Sequence, residues 1–221
     1  MTNREAFLQS VHKSVVAGNH AGDAVPHPLR DAVGYQGGGS DPVRSFCDEL
    51  IAAGGIAHVV ADRAGAAAKV LDLVQGRQAR RVLLGRGSFL DSLGLADQLH
   101  SLGIAVDPAD SPRDTYFAAD VGITGVEALI AETGSIVQAS RPGQPRSLSL
   151  LPPAYIAVAE RAQVVPDLFD WFESFPIESR ANGLPACLSL ITGPSKTGDI
   201  ELKLVTGVHG PGEVHVVLMN A

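Results

Sequence analysis

The sequence predicts an α/β fold organised around a mostly parallel sheet, and three observations carry that prediction. Short apolar runs such as Ile56–Val60 and Arg81–Leu84 alternate with longer segments of helical periodicity. The intervening segments carry apolar stripes, Val43, Phe46, Leu50 and Ile51 in one and Ala67, Val70, Leu71 and Val74 in the next. Glycines punctuate both, Gly54-Gly55 after the first stripe and Gly76 after the second. Strands joined through helices run parallel, and the crossovers are right-handed.

Along the chain, Phe7, Leu8, Val11 and Val15 predict an amphipathic helix over Arg4 to Val16. From Gly18 to Gly39 the sequence turns polar and irregular, which predicts a long loop, a lid or a partner-binding arm. Its Gly37-Gly38-Gly39 cluster follows no strand and is therefore no dinucleotide fingerprint. Ser40 or Asp41 before Pro42 opens the next helix. Ile56 to Val60 then reads as a buried strand, a helix ends at Gly76, and Arg81 to Leu84 is a second strand. Gly85-Arg86-Gly87-Ser88 follows that strand, at the carboxyl end where ligands of such sheets bind, but an ordinary strand-to-helix turn explains one Gly-x-Gly more often than a phosphate cradle does. One helix is expected from Phe89 toward His100, a strand over Ile104 to Val106, and a helix from Ser111-Pro112 through Tyr116. Two apolar runs between Val126 and Ala139 flank Glu132-Thr133-Gly134-Ser135 and suggest strands joined by a tight turn, the first run being compatible with helix too. Arg141 to Arg146 is a loop whose two arginines are solvated or clamp an anion. Ala154 to Ala159 is a strand, Asp167 to Phe172 a short helix, and Leu188 to Thr192 and Val214 to Met219 are strands. No repeat or linker divides the chain, so a single domain over 1–221 is expected, with a helical arm and irregular loop over about residues 1–40.

Composition narrows the function. The hydrophobic fraction of 45% and charged fraction of 19% are those of a globular protein. A net charge of −7 without a basic cluster argues against nucleic acid as a partner. No run approaches the roughly 18 apolar residues of a membrane span, and Met1 to Leu8 lacks a signal-peptide core, so no membrane span and a cytoplasmic location are expected. Cys47 and Cys187 are the only cysteines, too few for a disulfide framework or an iron–sulfur cluster carried by this chain alone.

Several residues are candidates for chemistry. Glu132, at an abrupt turn beside Thr133, Gly134 and Ser135, serves as a general acid or base if the fold desolvates it, and is otherwise a solvated surface carboxylate. Thr192-Gly193-Pro194-Ser195-Lys196-Thr197-Gly198-Asp199 aims backbone N–H groups, hydroxyls and an ammonium at an anion; alternatively Ser195 or Thr197 simply caps a following helix. A P-loop is excluded because Ser195 stands where the motif requires glycine before the lysine. Asp199 and Glu201 lack an evident third ligand, so no metal site is expected. His209, between Gly207-Val208 and Gly210-Pro211-Gly212, either shuttles a proton or makes a structural hydrogen bond, and His215 reads as a satisfied core histidine.

Taken together, Ala131 to Ser135, Ser149 to Pro153, Ile191 to Glu201 and Gly207 to Gly212 resemble, in their order and spacing, the lactate-utilisation protein C family, whose shared unit is the LUD domain. The resemblance covers roughly the C-terminal half. It implies a three-layer Rossmann-like fold of the group that includes the NagB and RpiA sugar isomerases and the CoA transferases. It also implies a role in converting L-lactate to pyruvate within a three-protein set, the other two proteins carrying the iron–sulfur clusters. The family's characteristic positions fall on Glu132, Thr133, Gly134, Gly193, Pro194, Ser195, Thr197, Asp199, Glu201, His209 and Gly210. Lys196 stands where arginine is frequent, keeping charge but not a bidentate fork, and Gly198 where alanine is frequent.

The expected site therefore comprises Glu132 and His209 as catalytic candidates. Thr133, Gly134, Ser135, Thr192, Gly193, Ser195, Lys196, Thr197, Asp199 and Gly210 are expected to bind ligand, the blocks meeting at the strand ends of one sheet. The implied partners are the iron–sulfur subunits and a small anionic metabolite; no cofactor of this chain is identified. The rival expectation is a free-standing ligase, hydrolase or acyl transferase acting on a phosphorylated or CoA-linked metabolite.

Overall fold

A computed structural model describes residues 3–18, 37–174, 185, 187–198 and 204–220. The chain divides into two units, residues 1–35 and 36–221. The first is represented by helix α1 (Asn3–Gly18), and the irregular stretch between it and Gly37 lies outside the described residues, apart from Gly37 to Gly39 themselves.

The second unit alternates helix and strand as the sequence predicts. Helix α2 (Pro42–Ala52) starts where the Asp41 carboxylate accepts from the Arg44 N–H at 3.2 Å, and Pro42 occupies the first turn, where no N–H is required. It ends as Gly54 turns to φ +91° and the Gly55 N–H donates to the Leu50 carbonyl. Strand β1 (Ile56–Val60) follows, then α3 (Arg63–Gly76), capped by Asp62 on the Gly65 N–H at 2.8 Å. After β2 (Arg81–Leu84) come α4 (Ser88–Ser92) and α5 (Leu95–Ser101), two helices where one was expected. Gly94, at φ +60°, breaks them. Strand β3 (Ala105–Pro108), α6 (Arg113–Phe117) and β4 (Val121–Gly125) complete the first half.

The second half contains the hairpin β5 (Ala128–Ile130) and β6 (Ser135–Ala139), α7 (Ser147–Leu150), β7 (Ala154–Glu160) and β8 (Val164–Val165). It continues through α8 (Leu168–Ser174), β9 (Leu188–Ile191), β10 (Lys196–Gly198), β11 (Leu204–Thr206) and β12 (Glu213–Met219). Six strands form the parallel main sheet in the order β1-β12-β7-β4-β2-β3. A second sheet, β8-β5-β6-β9, has mixed directions, and β10 and β11 make a separate antiparallel pair.

Alternation along the central strands explains the layering. In β7, Ala154, Ile156 and Val158 face a core shared with Val70 and Val74 of α3 and Leu95 and Leu99 of α5. Tyr155, Ala157 and Ala159 face the opposite core, with Phe46 and Leu50 of α2 and with Leu129 and Ile136 of the second sheet. A strand covered on both faces reads as a continuous apolar run, as β7 and most of β12 do. The outer face of the second sheet packs Ala128, Ile130 and Val137 under Trp171 of α8. Strand β1 departs from expectation: it lies at the sheet edge, and Ile56 and Val59 are exposed rather than buried.

One polar network spans the edge pair. His58 Nε2 on β1 lies 3.1 Å from His215 Nδ1 on β12, with the rings stacked at 5.4 Å. Glu213, paired with Arg77, faces His215 Nε2 at 3.6 Å. A proton on His215 Nε2 turned toward Glu213 leaves Nδ1 free to accept from His58 Nε2–H, so the two imidazoles hydrogen-bond one another while neutral. Burial lowers the pKa of both, first by desolvation; His215 further lowers His58, whereas Glu213 partly offsets the effect at His215. The folded protein thus binds fewer protons than the unfolded chain just below the ordinary histidine value of about 6.5, so stability rises with pH through that window. The full contribution is present above about pH 6.5 and is lost as pH falls through the lowered folded values. Urea midpoints measured from pH 7.5 to pH 5 should therefore fall more steeply for the wild type than for His58→Gln; parallel profiles would contradict this assignment.

Candidate functional site

The turn joining β5 to β6 is shaped by its contact with α2. Gly134 adopts φ +61°, and a Cβ there would lie 2.2 Å from the Leu50 nitrogen, so only glycine lets the turn approach the helix backbone. On its other side the Ala131 and Glu132 N–H groups donate to the carbonyls of Val165 and Pro166, and Gly38 fits against Ala131 and Pro166. This geometry leaves Glu132 and Thr133 half-buried and Ser135 buried.

The stretch after β9 reaches the same helix. Gly193 turns at φ +78° with its Cα directed at the Ala53 carbonyl, from which a Cβ would be only 2.6 Å away. Lys196 donates from Nζ to that same carbonyl, placing a cation at the negative end of α2. The capping expectation for Ser195 and Thr197 is corrected here, because Lys196 to Gly198 form a strand paired with β11 instead of leading directly into a helix. The ammonium keeps donors beyond the one given to Ala53.

Three hydroxyls connect these two turns. Ser135 Oγ lies 2.7 Å from Thr133 Oγ1 and 2.7 Å from Thr192 Oγ1. Because each hydroxyl both donates and accepts, the row runs in either direction, and its exposed end at Thr192 can donate to an anion or accept from a donor.

Ser195 joins the third and fourth motif blocks. Its N–H donates to the Pro211 carbonyl at 2.9 Å and its carbonyl accepts from the Gly207 N–H at 2.9 Å. Gly210 approaches so closely that a Cβ would sit 3.2 Å from that of Ser195. The Gly212 N–H donates to the Pro153 carbonyl, attaching this loop to the entrance of β7.

The described parts of the four blocks thus gather around one end of the fold. Pro153 and Gly212 precede β7 and β12, whose first residues Ala154 and Glu213 are paired, and Gly55 leads from α2 into β1. The cluster consequently sits at the amino ends of the parallel strands. Thr133, Ser135 and Thr192 are in direct contact, Gly134, Gly193 and Lys196 share α2, and Ser195 contacts the Gly210-Pro211 turn. Thr197 is half-buried on β10 and His209 is exposed, while Asp199, like Glu201, lies outside the described residues. The carboxyl end of α2 joins this arrangement without any signal in the sequence. In the sequence Gly54-Gly55 signals only a helix stop, and a backbone carbonyl has no residue-type signature.

The LUD domain profile matches residues 43–219, which include all four blocks and both sheets. The chain belongs to the LUD domain family. Among relatives of this LUD domain, lactate utilization protein C of Halalkalibacterium halodurans is 35% identical over 144 residues, 63% of each chain. The proteins of that name from Macrococcus caseolyticus and Bacillus subtilis are 44% and 41% identical over 104 residues each, 46% of this chain and 45% and 43% of theirs. The matched segments therefore span less than two thirds of these relatives. A crystal structure of a DUF162 family protein from Deinococcus radiodurans superposes with a TM-score of 0.58 at 23% identity, covering 80% of this chain and 96% of that one. It supports the α/β architecture of the LUD domain.

Proposed function

We propose that this LUD domain is a component of an L-lactate utilisation system that converts L-lactate to pyruvate, and that its motif cluster holds a small anion or the surface of a partner subunit. The observation that carries the proposal is the likeness to proteins named lactate utilization protein C. Oxidation of L-lactate to pyruvate releases two electrons and two protons. In this proposal the acceptors are partner chains that carry iron–sulfur centres, which agrees with a chain whose two cysteines, Cys47 and Cys187, are too few to ligate a four-cysteine cluster by themselves. The hydroxyl row ending at Thr192 and the ammonium of Lys196 give the cluster donors suited to a carboxylate. Among the described residues no helix is long and apolar enough to cross a membrane, and we place the system in the cytoplasm.

Deletion of the gene should abolish growth on L-lactate while leaving growth on pyruvate intact. Complementation by the double variant Ser135→Ala, Thr192→Val should restore growth only poorly, with the protein at normal abundance. Undiminished growth of the deletion strain on L-lactate overturns the proposal.

A further inference from the structure

At the opposite end of the main sheet, topology and shape point to a second site. The chain leaves β2 for β3 in one direction and leaves β4 for β7 in the other, so the connections diverge between the adjacent strands β2 and β4. In open α/β sheets ligands bind at the carboxyl ends of the strands where this reversal occurs. One strand to the side of this reversal, beyond the carboxyl ends of β2 and β3, a cleft of about 520 Å³ opens, bounded by Arg86, Asp110 and Arg141 and by an apolar wall of Pro108, Pro142 and Pro145. The wall is held in place: the Arg86 N–H donates to the Gly143 carbonyl at 3.0 Å, and the Gln144 amide donates to the Arg86 carbonyl.

Both guanidinium groups are oriented by carboxylates. Arg141 contacts Glu127 through Nε at 3.2 Å and Nη2 at 3.0 Å, and Arg86 Nε lies 3.1 Å from Asp91. Each guanidinium carries five N–H donors, so both Nη groups of Arg86 and Nη1 of Arg141 still have hydrogens to offer. These ion pairs are partly exposed, and such pairs position side chains more than they stabilise the fold. A phosphate presents three terminal oxygens to guanidinium N–H donors where a carboxylate presents two, which suits it to accept from both arginines at once. The volume far exceeds that needed by a phosphate alone and lies in the range of small-molecule sites.

We propose that this cleft binds a phosphate monoester with a flat organic body, the phosphate received by Arg86 and Arg141 and the ring laid on the proline wall. The site is separate from the motif cluster and does not depend on the lactate reading. Its test is calorimetric titration of the full chain with adenosine monophosphate and with inorganic phosphate. Adenosine monophosphate should bind more tightly than phosphate. Arg86→Gln and Arg141→Gln should each weaken it about tenfold or more, and Asp110→Asn should strengthen it several-fold by removing repulsion. Arg44→Gln, a surface change on α2, should leave it unaltered, and circular dichroism and urea midpoints establish that each variant is folded. The proposal is overturned if neither compound binds at about 5 mM, a concentration above ordinary weak affinities. It is equally overturned if folded Arg86→Gln and Arg141→Gln proteins bind like the wild type.

Discussion

Gly134→Ala is expected to cost the LUD domain about 3–4 kcal/mol, the sum of a left-handed backbone penalty and a backbone collision. The methyl group would be placed 2.2 Å from the Leu50 nitrogen and 2.6 Å from the Glu49 carbonyl carbon, both part of a rigid helix that cannot yield as a side chain would. For a domain of this size each kcal/mol lowers the melting temperature by roughly 2–4 °C, so a fall near 10 °C is expected in calorimetry. The same displacement moves Ser135 and interrupts the hydroxyl row, so complementation of growth on L-lactate should fail even below the melting point. Gly76→Ala is the internal control, because no heavy atom lies within 4 Å of the added Cβ, and it should be neutral or stabilising by up to about 1 kcal/mol. Equal melting temperatures for wild type and Gly134→Ala would show that the turn does not bear on α2 as described.

Leu50→Ala should be comparably damaging, about 3 kcal/mol within the usual span for truncating a fully buried leucine. Leu50 is wholly enclosed between the main sheet, the second sheet and its own helix, and its side chain fills the space that Gly55 leaves by lacking a Cβ. Truncation opens a cavity beneath the end of α2 on which Gly193 and Lys196 rest. Leu50→Met, which nearly conserves volume, should cost less than about 1.5 kcal/mol. Denaturant midpoints of the two variants separate loss of packing from mere change of chemistry; if both lose the same stability, the cavity explanation fails.

Much of this architecture is legible in the linear pattern. The stripe Val43, Phe46, Leu50 and the Asp41-Pro42 start identify α2 because capping and helical periodicity are local properties. β2 coincides with its apolar run, and the β5–β6 hairpin with the two runs flanking Glu132 to Ser135. β4 carries no comparable apolar run, since Gly122, Thr124 and Gly125 dilute its apolar character although it lies in the middle of the main sheet. Gly122 is explained only by a distant neighbour, for a Cβ there would lie 1.9 Å from the Leu148 carbonyl oxygen. The break at Gly94 and the exposure of β1 likewise depend on what packs alongside, and periodicity does not encode that.

The site divides in the same way. By itself the sequence determined the residue types and order of the four blocks, the shortage of cysteine ligands and the parallel α/β class, because these follow from composition, spacing and local periodicity. Tertiary structure alone decided that Ser135 meets Thr192 across the β6–β9 pairing, that Ser195 lies between Gly207 and Pro211, and that Gly134, Gly193 and Lys196 all converge on one helix end. It also decided that the motif blocks and the arginine-lined cleft occupy opposite ends of the sheet. The reason is physical: these contacts join residues far apart in sequence through backbone carbonyls, strand register and the absence of a Cβ, whose partners exist only once the chain has folded.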